Sequence, residues 1–381
     1  MRAQRPLNEA ARAQVPAAEL IPYGSHVAPD VVKLKGRAEY LAIWRVDGVT
    51  FETQDPDEIA IRKDSLNHVL RALGDGKWSI WTHKVRRQVR ERLFGRYANP
   101  FCAELVERYY GTFDTHRQMA TELYLSLVLR PAASLTARLF SRTAKTDLAE
   151  LRRREDEALT QLNDAGRLLE SSLKDYGLTR LATYTRGSVL FSEMGAFLAF
   201  LVNGFWEEVP LARRSLDQVL PTSRLFFGDK NGMLEIWHPR GQKFAGFLDV
   251  QEFPAVSEPG LCDGVLYGTY EYVETQSLSI LNRRDGLKAL QDQRGHLRAT
   301  EDVAVSEIEQ MDLAMDHLQS GLIELGEYHY TLAVFGETPV EVARHIAEAR
   351  SALTDIGGFK MAVIDAIPEC AWFAQLPGNW R

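Results

Sequence analysis

Leucines recur at every second position through residues 121–129, where Leu123, Leu125, Leu127 and Leu129 share one side of an extended chain. A period of two marks a half-buried strand, because successive side chains leave opposite faces of a sheet. Pro131 ends the run, since proline cannot donate to a ladder. Residues 40–46 read as another strand, with Trp44 and Val46 on one face and Ile43 on the other. Asp47-Gly48 then offers a turn into an extended piece at 49–53, and 78–85 and 178–185 are further strands. Between them the period lengthens to three or four. Ile59, Leu66, Val69, Leu70 and Leu73 follow Pro56 at helical spacing until Gly74-Asp75-Gly76 stops the helix. Residues 100–110 set Leu105, Val106 and Tyr109 on one side of a second helix. Asp147, with Glu150 three residues on, caps a long charged one with a stripe of Leu148, Leu151, Leu159, Leu162, Leu169 and Leu173.

An apolar stretch at 194–206 contains Asn203 and Gly204 and falls short of the roughly twenty residues a membrane span needs, so it reads as a buried helix. A linker rich in Pro and Arg covers 209–223. Strand pieces at 224–227 and 233–237 flank Asp229-Lys230-Asn231-Gly232, a hairpin signal. Strands follow at 244–253, 269–280 and 328–335. Pro339 opens a helix to Leu353 that Gly357-Gly358 ends, and 360–366 closes as a strand. The predicted class is α+β: two tandem ferredoxin-like lobes, 21–187 and 223–381, with helices packed on mixed sheets. A mobile tail (1–20) precedes them, and the apolar helix and linker (188–222) separate them. The second lobe carries a long helical insertion, 283–320. There Ile308, Met311, Met315, Leu318 and Leu322 alternate spacings of three and four, a seam of about two heptads. Gly295 and the polar run 298–302 turn the chain. The insertion is either a hairpin packed on its own lobe or an arm that grips a neighbouring subunit.

Composition narrows the chemistry. The 381 residues carry a formal net charge of -7, which argues against nucleic acid as a partner of the whole surface. Cys102, Cys262 and Cys370 lie far apart and show no metal-ligand spacing, so a reducing compartment fits. The start of the chain has no apolar signal-peptide core. A phosphate-binding loop requires Gly-x-x-x-x-Gly-Lys-Ser/Thr; at Gly76-Lys77, Arg71 replaces the first glycine and Trp78 the hydroxyl residue. His345 and Glu348 stand at helical spacing without a third metal ligand. Residues 240–247 only faintly echo an RNA-binding strand, since Phe244 and Phe247 would point to opposite faces. The densest local charge is 84–96, where Lys84, Arg86, Arg87, Arg90, Arg92 and Arg96 oppose only Glu91. This segment is a solvated strand end, a contact for anionic lipid or an acidic partner, or a nucleic-acid contact.

A set of ordered blocks runs along the chain: Ile21-Pro22-Tyr23-Gly24-Ser25-His26-Val27, Trp81-Thr82-His83 with Val85-Arg86-Arg87, and Leu201-Val202-Asn203-Gly204 with Val209-Pro210-Leu211. Glu274-Thr275-Gln276-Ser277 and His329-Tyr330-Thr331-Leu332 with Val334-Phe335-Gly336 follow, and the most specific block is Ala371-Trp372-Phe373-Ala374-Gln375-Leu376-Pro377-Gly378-Asn379. Together and in this order they resemble the CagE–TrbE–VirB family of type IV secretion and conjugation ATPases. The resemblance implies a RecA-like motor with Walker motifs after residue 381, to which ATP and magnesium would belong; this segment would hold no cofactor or catalytic residue. It further implies a hexameric assembly at the cytoplasmic face of the bacterial inner membrane. Its partners would be small inner-membrane proteins and other ATPase subunits, and its work would be pilus assembly and substrate transfer. The candidate contacts are the basic residues 84–96 for partner or membrane, and Ile308, Met311, Met315 and Leu318 for self-association. Two rivals stay open: an autonomous nucleic-acid-binding module using the basic segment, and an enzyme with an unrecognised site.

Overall fold

The computed structural model describes residues 15–36, 38–49, 55–89, 95–113, 118–130, 148–228, 232–256, 258–299 and 305–379. The first half runs β1 (Tyr23–Ala28), β2 (Val31–Leu34), β3 (Tyr40–Val46), α1 (Pro56–Ala72), β4 (Trp78–Val89), α2 (Pro100–Phe113), β5 (Gln118–Leu129), α3 (Leu148–Ser172) and β6 (Leu178–Arg180). In the middle come β7 (Thr183–Arg186), β8 (Val189–Ser192), α4 (Glu193–Asn203), β9 (Val209–Pro210) and α5 (Leu216–Val219). The second half runs β10 (Arg224–Phe226), β11 (Leu234–His238), β12 (Gly241–Glu252), β13 (Tyr272–Ile280), α6 (Arg283–Ala299), α7 (Val305–Ser320), β14 (Gly326–Gly336), α8 (Pro339–Ser351), β15 (Lys360–Ile364) and α9 (Pro368–Ala374). The α+β class holds.

Strands from both halves form one antiparallel sheet in the order β1-β2-β3-β5-β4-β13-β14-β12-β11-β10, with β6 added on β3 and β15 on β12. The halves meet along β4 and β13, where Arg86 faces Tyr272 and Ser79 faces Ser279. β7, β8 and β9 make a separate small sheet. Alternation along each strand feeds two faces. On one face, Trp44, Leu125, Leu127 and Leu129 pack with Val69 of α1, Leu73 just after it, and Leu162 and Leu169 of α3. Farther along that face, Tyr272, Leu332 and Val334 pack with Val342 and Ile346 of α8. The opposite face carries one core that spans both halves: Leu41, Ile43, Trp81, Val273, Phe335 and Phe247 close around α4 and the α9 residues Trp372 and Phe373.

α4 is buried along its length after Glu193, which explains its apolar sequence without a bilayer. Ser192 caps it by accepting from the Gly195 N–H at 2.7 Å, and Gly204, at φ 70°, closes it in the left-handed conformation that glycine tolerates. Asn203 fastens the following turn, donating to the carbonyls of Ala199 and Leu220 and accepting from Thr222 and Ser223.

The leucine alternation over 121–129 holds, and its leucines face α1 and α3. The strand expected over 178–185 divides into two. Leu178–Arg180 pairs with β3, whereas Thr183–Arg186 pairs with β8 in the other sheet. The Ala182 N–H between them donates to Glu193 instead of to a ladder. The β1–β2 hairpin was not anticipated. α3 buries Leu162 and Leu169, but Leu148 and Leu151 at its start are exposed, and the expected cap Asp147 lies outside the described residues. The extended piece at 50–53 and most of the 229–232 turn also lie outside them, yet β10 and β11 pair as a hairpin requires. α6 runs through Gly295 unbroken.

Candidate functional site

The basic segment starts on β4, in the middle of the sheet, and the ladder register decides what its cations meet. Lys84 stands directly opposite Glu274 of β13, and its Nζ lies 2.9 Å from a carboxylate that is 2% exposed. Burial opposes charge on Lys84, but the Glu274 carboxylate outweighs it and holds the ammonium pKa above its usual value. Arg86 donates from Nε to the Gly268 carbonyl and from Nη1 to Thr121 of β5, each at 2.9 Å. Arg87 grips both oxygens of Glu122 at 3.1 and 3.0 Å and lies over the Trp206 ring. These three cations therefore tie strands to one another. Arg96 is exposed, and Arg90 and Arg92 lie outside the described residues.

Past the basic segment the chain enters α2. Asn99 accepts from the Phe101 N–H at 3.0 Å and starts the helix. Phe101, Leu105 and Tyr109 are 69%, 55% and 59% exposed, and no described side chain of α2 is buried. Helical spacing placed Leu105, Val106 and Tyr109 on one side in the sequence; that Leu105 and Tyr109 would be exposed together with Phe101 could not be read there.

α6 and α7 form the expected antiparallel hairpin, each packing chiefly on the other, with Arg294 and Asp312 joined at 2.6 Å. Leu318 is buried at the root, where Gly286 leaves room for it. Ile308, Met311 and Met315 are half-buried, and Leu313 is exposed. Beside the root, a groove of about 550 Å³ separates α1 from residues 322–325.

The other residues that the sequence singles out are engaged within the fold. Lys77 follows the Gly74-Asp75-Gly76 turn, and its N–H donates to Asp75 at 3.0 Å, so a carboxylate of the chain already occupies that donor. Phe247 is buried in the core around α4 and Phe244 packs at the edge of the core on the opposite face, as their spacing required. His345 is buried, with Nδ1 2.8 Å from the Phe335 carbonyl. Among the described residues no group of three or more His, Cys, Asp or Glu is placed to hold a metal ion. Burial pushes the Cys262 thiol up to about 11, well away from reactivity. The 371–379 block lies inside the shared core: Trp372 and Leu376 are buried, and the Gln375 carbonyl meets His83 Nε2 at 2.8 Å.

Residues 31–136 match the N-terminal domain of the type IV secretion system ATPase VirB4/TrbE. Residues 179–381 match the CagE, TrbE, VirB family, component of type IV transporter system. The chain is 36% identical to the type IV secretion system protein virB4 of Brucella suis over 371 residues, 96% of this chain and 44% of that protein. It is 32% identical to PtlC of Bordetella pertussis, over 97% of this chain and 45% of PtlC. With virB4 of Bartonella henselae the identity is 32%, over 95% and 46%. The chain thus spans about half the length of the curated relatives it matches. Its two matched segments take in both halves of the sheet, and on them the chain belongs to the CagE, TrbE, VirB family of type IV transporter components.

Proposed function

We propose that this chain is the assembly and docking module of a type IV secretion ATPase. It seats the motor against small inner-membrane proteins of the apparatus and against neighbouring ATPase subunits, at the cytoplasmic face of the membrane. ATP and magnesium belong to the RecA-like motor of the longer protein, and the homo-oligomer is a hexamer there. The observation that carries the reading is the arm: α6 and α7 pack chiefly on each other, root themselves through Leu318 and leave Leu313 in water. A hairpin whose helices pack chiefly on each other, set on a sheet packed on both faces, is suited to reaching another subunit. The nucleic-acid alternative is weaker, because Lys84, Arg86 and Arg87 are already engaged within the fold.

Light scattering on size-separated protein tests the arm. Met311→Glu with Met315→Glu is expected to shift the protein to smaller species while circular dichroism stays unchanged. Unfolding assigns the seam to the hairpin's own core, and an unchanged mass removes the arm from the assembly.

A further inference from the structure

We propose that α2 lies flat on an anionic membrane surface with Phe101, Leu105 and Tyr109 immersed at the headgroup boundary. The inference rests on the docking reading and deepens it by naming lipid as a direct partner.

At 3.6 residues per turn, Phe101, Leu105 and Tyr109 fall within an arc of about 80°, and Cys102, Val106 and Tyr110 extend the apolar side to about half the circumference. Water currently meets the first three across more than half of their surface. Contiguous apolar surface of this kind on a folded protein marks a contact with a partner or a membrane. The charges select the occupant. Arg108 borders the stripe and pairs with Glu104 at 2.7 Å, so the two charges cancel there. Glu107 sits on the opposite side of the helix. Arg96 is exposed just before the Asn99 cap, and in the sequence Arg90 and Arg92 precede it against a single Glu91. An exposed Arg96 thus precedes the stripe, and in the sequence the approach to α2 carries a further excess of basic residues.

Aromatic character points the same way. Tyr97, Phe101 and Tyr109 are exposed along one short stretch, and amphipathic aromatic rings settle at headgroup depth. No described helix is long and apolar enough to cross a membrane, so contact through these residues takes the interfacial form, apolar side down and cations at the rim. Neither signal suffices for stable binding alone, and here the two adjoin.

Flotation of the full 381-residue chain with vesicles of phosphatidylglycerol and phosphatidylethanolamine tests this, with phosphatidylcholine vesicles as the comparison. The protein is expected to float with the anionic vesicles and much less with the neutral ones. Phe101→Ser, Leu105→Ser and Tyr109→Ser together are expected to lower vesicle affinity about ten-fold or more, at a nearly unchanged melting temperature, since each of the three side chains is more than half exposed. Leu313→Ser, exposed elsewhere, is expected to leave flotation intact. Failure of the parent to float, or equal flotation of the triple variant, overturns the proposal. If the parent ignores vesicles while the triple variant loses co-purification with secretion proteins, α2 is a protein-docking face; the lipid proposal falls and the docking reading stands.

Discussion

His83 shows how far one side chain can depend on a partner remote in sequence. It sits fully buried on β4, edge-on to Phe197, and its Nε2 donates to the Gln375 carbonyl. Nδ1 has no partner, and burial pushes the ring pKa down to about 4. The native ring is therefore neutral where the unfolded chain, titrating near 6.5, takes up a proton. Stability is full above the unfolded value, declines as pH falls through 6.5, and the loss levels off below 4 after reaching about 3 kcal/mol. Urea midpoints are expected to stay flat from pH 8 to 7 and to fall between 6.5 and 4.5, and His83→Gln is expected to flatten that fall. An equal slope in the variant would assign the titration to another group. Residue identity alone told little at this scale. Density of charge singled out Lys84, Arg86 and Arg87, but Glu274, which claims Lys84, stands 190 positions away in the chain and only the ladder brings it near.

At the scale of elements, the ladder between β4 and β13 carries the Lys84–Glu274 pair on one face and the Ser79–Ser279 hydroxyl contact on the other. Removing one partner of a buried pair strands the other charge, at a cost of about 3–5 kcal/mol, whereas replacing both with apolar residues is close to neutral. Glu274→Ala is thus expected to lower the unfolding free energy by about that amount, and Lys84→Met with Glu274→Leu to recover most of it. Denaturant titration of the three proteins decides; no recovery in the double variant would mean that the pair does more than cancel its own desolvation. Elements were legible where a pattern is long and local, as in the leucines of β5 or the apolar run of α4. They were missed where strands are short. Val31–Leu34 gives too few residues for a period to show, and the break at Leu181–Ala182 is made by a hydrogen bond to Glu193 that no local pattern announces.

Over the whole molecule, what the pattern could not show is that the two sets of strands join one sheet, since the pairing of β4 with β13 is a long-range choice. The shared core around α4 and α9 follows from that union, and it places the 371–379 block against both halves. The same view bears on nucleotide chemistry. The sequence contains no Gly-x-x-x-x-Gly-Lys-Ser/Thr, and the nearest turn has its Lys77 N–H bonded to Asp75. Calorimetry on the purified 381-residue chain is expected to detect no micromolar ATP binding, and a phosphate-release assay no hydrolysis. A binding isotherm in the micromolar range would place a nucleotide site here that the motif does not describe.

The junction of β4 with β13 also sets a timetable for the ribosome. β4 ends at Val89, and Tyr272, which opens its neighbour, is made about 180 residues later. At synthesis rates of about 5–20 residues per second, that interval is roughly ten to forty seconds. Throughout it, one edge of β4, twelve residues long, offers unpaired N–H and C=O groups to any strand that comes near. A nascent chain stalled between these points presents a template for pairing with its neighbours on the same message.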